Sequence, residues 1–385
     1  MKKLFSSTIF KLIIAVIIGI LLGFVANENF MNFVVTVKYI LGQLIFFMVP
    51  LIILGFVSYS IAKMKDNASK MLSLALIIAY LSSIGAAFFA MVSGYTLIPH
   101  LSIEPVKETL RQLPELIFRL DIPPVVSVMT ALVLAIMIGL ATVWTKSEVF
   151  ENLLDNFQKM VLLLINFIAA NFCALSYEGA ITKQLPVFLG VMVIVIISQF
   201  VWLSFLYALA GAVSKKNPWQ VLKYYGPAYL TAVGTMSLAA TLAVALKCAK
   251  KSPVLKDDVI DFAVPLFSNI HLCGSILTEV FFVMTVSLML YGSLPSLTVM
   301  ILFIILLGIF AIGAPGVPGG TVIASLGIVI SILGFDEAGT ALLLTIFALQ
   351  DSFGTACNIT GDGALTLIMT KASCRRSSKP KKINS

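Results

Sequence analysis

Long apolar stretches recur along the whole chain and are separated by short polar connections. A helix needs about 20 mainly apolar residues to cross a bilayer, so the pattern predicts a series of membrane-spanning helices. The stretches lie near residues 8 to 26, 33 to 63, 72 to 99, 126 to 144, 158 to 178, 187 to 213, 257 to 290, 297 to 333 and 337 to 371. The first follows a basic start, as a secretory signal does, but the many later stretches favour a first transmembrane helix.

Composition supports the same interpretation. Of the 385 residues, 59% are hydrophobic and 11% are charged, whereas soluble domains carry about 25% charged residues. The mean hydropathy is +1.04. We therefore expect an all-α polytopic membrane protein. The cysteines lack the spacing of a disulfide framework or a zinc site, so we expect no cofactor and no metal beyond a coupling cation.

The basic residues predict the orientation of the chain. If the spans alternate, most lysines and arginines of the connections and of the C-terminal tail fall on one side. The positive-inside rule makes that side cytoplasmic. We therefore expect a multi-pass protein of the cell membrane with both termini in the cytoplasm. Topology therefore accounts for the net charge of +8, and we expect no nucleic-acid partner.

The second half of the chain contains a weak internal repeat, in which a small-residue segment precedes a helix with polar residues in its middle. The first copy runs from residues 231–243 into 269–279, and the second from 313–320 into 351–362. Pro315 and its neighbouring glycines cannot continue a helix, and lipid does not tolerate irregular exposed backbone. A re-entrant hairpin is the favoured interpretation, and a proline-kinked spanning helix is the alternative.

One polar stripe marks the last apolar stretch. Asp351, Thr355, Asn358 and Asp362 return to one face of an α-helix. Each carboxylate within a membrane costs about 2.5 to 3.5 kcal/mol, so two on one face predict a bound cation or amine. The alternative is a pair of acids neutralised by basic side chains of the same bundle, although the lysines cluster at the ends of connections.

A second polar group lies in the stretch near 257 to 290. On a continuous helix, His271, Ser275 and Glu279 would lie along one face. His271 alone is also compatible with a hydrogen-bonded core histidine. Because Glu279 is an isolated acid within an apolar segment, we hypothesise that it carries a proton.

The chain resembles the dicarboxylate/amino acid:cation symporter family, which includes the glutamate transporters and the neutral amino acid exchangers. Residues 351–362, Asp-Ser-Phe-Gly-Thr-Ala-Cys-Asn-Ile-Thr-Gly-Asp, are similar to the family signature D-x-x-R-T-x-x-N-V-x-G-D. Shorter similarities occur at 316–319, at 241–244 with 247–249, and at 50–52. The likeness covers nearly the whole chain.

The resemblance implies the glutamate-transporter-homologue fold, with eight transmembrane helices, two re-entrant hairpins and inverted repeats. It also implies a homotrimer in which a transport part slides along a scaffold part as an elevator. The scaffold would comprise 1–65 and 126–180, with an external connector at 101–125 and a cytoplasmic tail at 372–385. The transport part would comprise 70–100 and 185–371, including hairpins at about 218–250 and 295–333 and helices at about 257–290 and 337–371.

The same resemblance implies site residues. Asp351 would hold the amino group of a substrate, and Val317 and Gly319 would lie in an external gate. The candidate substrate-binding residues are Asp351, Thr355, Asn358, Gly354, Ser237, Ser275, Val317, Pro318 and Gly319. The candidate cation-binding residues are Asp362, Asn358, His271, Asn269 and Cys273.

Departures from the family pattern bear on the substrate and the ion. Gly354 and Met236 stand where branches that carry acidic substrates have arginine, so a side-chain carboxylate would be buried unpaired at a cost of several kcal/mol. The family motif Asn-Met-Asp-Gly-Thr is replaced by residues 271–275, His-Leu-Cys-Gly-Ser. Imidazole and thiol are poor ligands for sodium. Glu279 stands where proton-coupled members have glutamate, so the coupling ion is sodium or a proton.

These features predict a secondary active transporter, not an enzyme, for a small neutral amino acid such as serine, alanine or threonine. Symport and exchange are both open. One alternative is a carrier of acidic amino acids or dicarboxylates with altered coupling, in which Lys247 or His271 would face the substrate carboxylate. An alternative of another class is an ion channel lined by the polar stripe.

Overall fold

A computed structural model provides the three-dimensional structure. It describes residues 18, 21–23, 25–62, 69–101, 103, 114–123, 125–126, 128–145, 149, 152–153, 180–314 and 319–377. Within these ranges, all regular secondary structure is helical, as the sequence predicts.

The helices are numbered here in chain order. They are α1 (Glu28–Ala62), α2 (Ser69–Leu97, followed by a 3-10 turn at Ile98–His100), α3 (Val128–Thr145), α4 (Ala180–Ser214), α5 (Trp219–Leu222) and α6 (Gly226–Thr235). They continue with α7 (Leu238–Lys250), α8 (Asp257–Ile270), α9 (Cys273–Tyr291), α10 (Leu297–Gly313), α11 (Gly320–Leu333) and α12 (Glu337–Ser377).

Four parts of the described chain are long and apolar enough to cross a membrane. They are Ser73–His100, Val187–Ser214, Asp257–Tyr291 and Glu337–Ala372. The expected helices at 8 to 26 and 158 to 178 lie mainly outside the described residues, as do residues 104–113 of the connector and 378–385 of the tail. The total number of spans, the elevator division and the homotrimer therefore stay predictions.

The core of the described fold lies around α9. In the 18-residue apolar stretch within Asp257–Tyr291, 94% of the residues are buried, whereas in the corresponding stretch within Val187–Ser214 33% are buried. α9 packs against α2, α4 and α12, and α12 also contacts α6, α7 and α8. A polar group on α9 or α12 is consequently surrounded by protein, which is where a membrane protein can hold charged side chains.

Two helix pairs occupy the segments in which the sequence predicts hairpins. α6 packs against α7, and α10 packs against α11. α7 begins at Ser237, whose hydroxyl accepts a hydrogen bond from Ala240 N at 3.3 Å, a standard N-cap. Residues 315–318, at the connection between α10 and α11, lie outside the described residues.

The stretch near 257 to 290 is not one continuous helix. α8 ends at Ile270, His271 is extended, and α9 begins at Cys273. The expectation that positions 271, 275 and 279 share a continuous helical face is therefore wrong. The break is held by α2, because Leu272 N donates to Ser83 Oγ at 3.4 Å and His271 Nε2 lies 2.9 Å from Ser82 Oγ.

Candidate functional site

The polar stripe of the last span lies on the single continuous helix α12. Asp351, Thr355, Asn358 and Asp362 are 3%, 4%, 1% and 0% exposed. Their spacing puts them on one side of the helix, and every residue of 351–370 is buried or half-buried, so the bundle surrounds α12 on all sides here. The structure thus brings together the four side chains that the sequence pattern singles out.

Asn358 joins α12 to the first turn of α9. Its Oδ1 accepts hydrogen bonds from Gly274 N at 2.7 Å and Ser275 N at 3.2 Å, and its Nδ2 donates to Ser275 Oγ at 2.8 Å. The first N–H groups of a helix have no partner within that helix. Asn358 therefore caps α9 from another helix, and all of its described bonds serve that contact.

Glycines allow α9 and α12 to approach closely at this point. A Cβ on Gly274 would lie 2.4 Å from Cys357 Cβ, and a Cβ on Gly354 would lie 3.2 Å from Ser275 Cα. Small residues at helix crossings are a common packing solution in membranes. The space beside Gly354 is filled by the first turn of α9, because a Cβ there would also lie 3.2 Å from Ser275 Oγ and 3.4 Å from Ser275 N.

Asp351 faces the start of α11. Its Oδ2 accepts a hydrogen bond from Gly319 N at 2.7 Å. Gly319 has φ +72°, a left-handed conformation that glycine adopts without steric cost, and it is the N-cap of α11. The N-terminal end of a helix dipole stabilises a nearby carboxylate. Val317, the other predicted gate residue, and Pro318, a candidate substrate-binding residue, lie outside the described residues.

Ser237 lies at the tip between α6 and α7. Met236, just before it, has φ 53°, so the chain reverses through a left-handed residue. Thr241 Oγ1 donates to Ser237 O at 2.8 Å and lies 3.2 Å from Thr235 Oγ1. The tip is thus a compact set of hydroxyl groups, and α7 contacts α12.

The second acid of the stripe, Asp362, binds a histidine. His271 Nδ1 lies 2.8 Å from Asp362 Oδ1, and both side chains are fully buried. Ser268 Oγ lies 3.4 Å from Asp362 Oδ2 and 2.7 Å from Val264 O, and its single hydrogen can be donated to only one of them. Since His271 Nε2 contacts Ser82 Oγ at 2.9 Å, the imidazole bridges α2 and α12.

Of the candidate cation ligands Cys273 and Asn269, only Cys273 lies near Asp362. Cys273 is fully buried, and its Sγ would lie 3.3 Å from a Cβ on Gly361 of α12. Asn269 is exposed, and its Nδ2 donates to Pro265 O of its own helix at 2.7 Å. The structure therefore brings the Cys273 side chain to the group around Asp362 and does not bring the Asn269 side chain there.

Glu279 lies deeper in α9 and is 0% exposed. Ser325 Oγ of α11 donates a hydrogen bond to Glu279 Oε1, and Oε2 has no partner among the described residues. A carboxylate buried with one neutral donor costs several kcal/mol, whereas a protonated carboxyl group does not carry that charge. This environment suits a group that gains and loses a proton.

Several polar residues of the site are absent from the sequence-based set. Gln199 Nε2 donates to Thr278 Oγ1 at 2.9 Å, next to the crossing of α9 and α12. Ser82, Ser83 and Ser325 contact the break in α8/α9 or Glu279. The adjacent serines at 82 and 83 interrupt an apolar run, which is a signal that the sequence contains.

Comparison with known proteins identifies the family to which this chain belongs. Residues 8–372 match the family model described as the sodium:dicarboxylate symporter family. The chain belongs to this family. The sodium:dicarboxylate symporter family is one of transporters rather than enzymes, so the resemblance and the transporter class are confirmed, and the chain is a multi-pass membrane protein.

Individual members of the family are more distant. Bovine (Bos taurus) excitatory amino acid transporter 3 is 28% identical over 258 residues, which are 63% of this chain and 47% of that protein. Its human (Homo sapiens) counterpart is 31% identical over 165 residues, 42% of this chain and 30% of that protein. Human excitatory amino acid transporter 1 is 25% identical over 228 residues, 56% of this chain and 40% of that protein. The matched segments span less than half of these relatives.

Proposed function

We propose that this chain is a secondary active transporter that couples a gradient of sodium or protons to the movement of a small neutral amino acid such as serine, alanine or threonine. The observation that carries the proposal is the buried Asp351 carboxylate at the start of α11, next to a helix crossing that leaves position 354 without a side chain. The site thus offers a negative charge for an amine.

The substrate amine would bind Asp351. A buried carboxylate attracts an ammonium group strongly, because charge-assisted hydrogen bonds are worth about 1.5 to 3 kcal/mol. The described contact of Asp351 uses one oxygen, for Gly319 N. The α-carboxylate of the substrate would then bind N–H groups at the tips of the two helix pairs.

The alternative is a carrier of acidic amino acids or dicarboxylates with altered coupling, and the similarity to excitatory amino acid transporters favours this alternative. Such substrates need a cation for the second carboxylate. Lys247 is exposed on α7, and both ring nitrogens of His271 already have partners. These contacts support the neutral substrate.

Coupling by a proton would use Glu279. α11 contributes Gly319 to Asp351 and Ser325 to Glu279. A displacement of α11 that admits substrate at Asp351 would therefore also change the environment of Glu279. This shared helix gives a physical route by which protonation of Glu279 and substrate binding at Asp351 influence each other.

Uptake into proteoliposomes tests the proposal. Radiolabelled serine, alanine, threonine and aspartate would be supplied with sodium and proton gradients imposed separately. We expect saturable, gradient-driven uptake of a neutral amino acid that is lost in Asp351→Asn. Uptake of aspartate that survives Asp351→Asn would overturn the neutral substrate, and a non-saturating conductance without accumulation would indicate a channel.

A further inference from the structure

We propose that the imidazole of His271 takes the place of a coupling cation at Asp362, so that this carboxylate does not bind sodium during transport. His271 would then determine how many sodium ions accompany each substrate. The inference rests on the proposed function in one respect: it concerns the ion requirement of a cation-coupled transporter. Asp362 is the residue to which the family resemblance assigns a cation.

The Asp362 carboxylate already has a protein partner. Asp362 Oδ1 lies 2.8 Å from His271 Nδ1. Ser268 Oγ lies 3.4 Å from Asp362 Oδ2, but its single hydrogen has a closer acceptor in Val264 O at 2.7 Å. Asp362 is 0% exposed. Oδ1 therefore has a protein partner already, and a sodium ion that coordinates this oxygen would have to displace the imidazole.

The His271 imidazole is packed among groups that do not suit sodium. A Cβ on Gly361 would lie 2.9 Å from His271 Cε1 and 3.3 Å from Cys273 Sγ. The imidazole thus packs directly against the backbone of α12, and a thiol completes this side of the group. Hard cations such as sodium prefer oxygen ligands, so a nitrogen and a sulfur in these positions do not fit sodium.

The hydrogen bonds of His271 determine which ring nitrogen carries the hydrogen that faces Asp362. A carboxylate only accepts, so the hydrogen between His271 and Asp362 lies on Nδ1. In the neutral ring Nε2 accepts from Ser82, and in the charged ring Nε2 donates to the same hydroxyl. Either form keeps an N–H group directed at Asp362, which is the interaction that a bound cation would otherwise supply to a buried carboxylate.

The consequence concerns transport stoichiometry. A sodium ion at Asp362 would arrive and leave with the substrate, whereas the imidazole remains attached to the protein. Sodium binding at this position would thus be removed from the cycle, and the substrate would move with fewer sodium ions. A merely structural role of His271, as a clamp on the break between α8 and α9, predicts no such change.

Thermal unfolding of the purified full chain tests the inference without any substrate, because a ligand that binds only the native state raises the unfolding temperature. Sodium chloride would be compared with choline chloride at equal ionic strength for wild type, His271→Asn, Asp362→Asn, His271→Asn/Asp362→Asn and the control His100→Asn. His100 is the exposed histidine after α2.

We expect His271→Asn to gain a sodium-specific rise in unfolding temperature, because Asp362 loses its partner. The rise should vanish in His271→Asn/Asp362→Asn, and His100→Asn should respond as wild type does. A sodium response of wild type that Asp362→Asn abolishes, or a His271→Asn protein without any gain, would overturn the inference.

Crystals of wild type soaked in a thallium salt provide a test that needs no folded variant. We expect no anomalous peak within coordination distance of Asp362, and a peak there would overturn the inference. Both tests are independent of transport. If neutral amino acid uptake fails while Asp362 proves free of monovalent cations, the proposed function is wrong and the assignment of His271 stands.

Discussion

Asn358 on α12 and Ser275 on α9 are joined by a hydrogen bond from Nδ2 to Oγ of 2.8 Å, and Asn358 Oδ1 also accepts from Ser275 N at 3.2 Å. One amide thus satisfies both the side chain and the backbone of the first turn of α9. Asn358 therefore fixes the start of α9 against the polar stripe of α12 by hydrogen bonds.

Removal of this amide should destabilise the fold. In Asn358→Ala, the N–H groups of Gly274 and Ser275 lose their acceptor, and a buried unsatisfied group costs roughly 1 to 3 kcal/mol. We expect a clear drop in the unfolding temperature in detergent. The control is Thr370→Val on the same helix, whose buried hydroxyl donates only to Thr366 O at 3.0 Å. Equal drops in the two variants would contradict the capping role of Asn358.

Neutralising Asp351 should weaken substrate binding while the fold remains intact. An asparagine oxygen can still accept from Gly319 N, but the charge that attracts the substrate amine is lost. We expect the Kd of the transported amino acid to rise roughly 10- to 100-fold, corresponding to about 1.5 to 3 kcal/mol. Isothermal titration measures the Kd. Asp336→Asn, at an exposed acid before α12, is the matched control, and a similar rise in it would refute the special role of Asp351.

Replacement of Glu279 should remove proton coupling. Glutamine keeps the shape and can accept from Ser325 Oγ, but it cannot exchange a proton. We expect Glu279→Gln to transport without any response to an imposed proton gradient. Glu337→Gln serves as the control, because Glu337 accepts from Gln43 Nε2 at the start of α12 at 2.8 Å, outside the deep core. Uptake by Glu279→Gln that still follows the proton gradient would discard the idea.

A methyl group at position 354 should disturb the crossing of α9 and α12. The added Cβ would lie 3.2 Å from Ser275 Cα and 3.2 Å from its Oγ, and overpacking typically costs about 1 to 3 kcal/mol. We expect Gly354→Ala to lower the unfolding temperature and the uptake rate together. Gly190→Ala on α4, where no atom lies within 4 Å of the added Cβ, should instead be neutral or slightly stabilising. The reverse order of stability would contradict this packing.

Sequence and structure agree where the signal is local. The apolar stretches predict helices because each backbone group in lipid must be bonded within its own segment. The spacing of Asp351, Thr355, Asn358 and Asp362 predicts that they share one side of a helix, because the helical repeat alone decides which residues share a side. All four are buried on α12. The family signature contained in residues 351–362 likewise depends on neighbouring positions only.

Contacts between distant segments were decided by tertiary packing. His271 lies 91 positions from Asp362 and 189 from Ser82, and the periodicity of either helix contains no information on that pairing. The end of α8 before the extended His271, and the exposed position of the Asn269 side chain, were likewise not contained in the helical periodicity. The sequence by itself determined which segments are apolar enough to cross a membrane and which side of the last helix is polar. Only the assembled bundle decided that Asp362 meets an imidazole, because the partners of a buried polar group come from the helices that pack beside it.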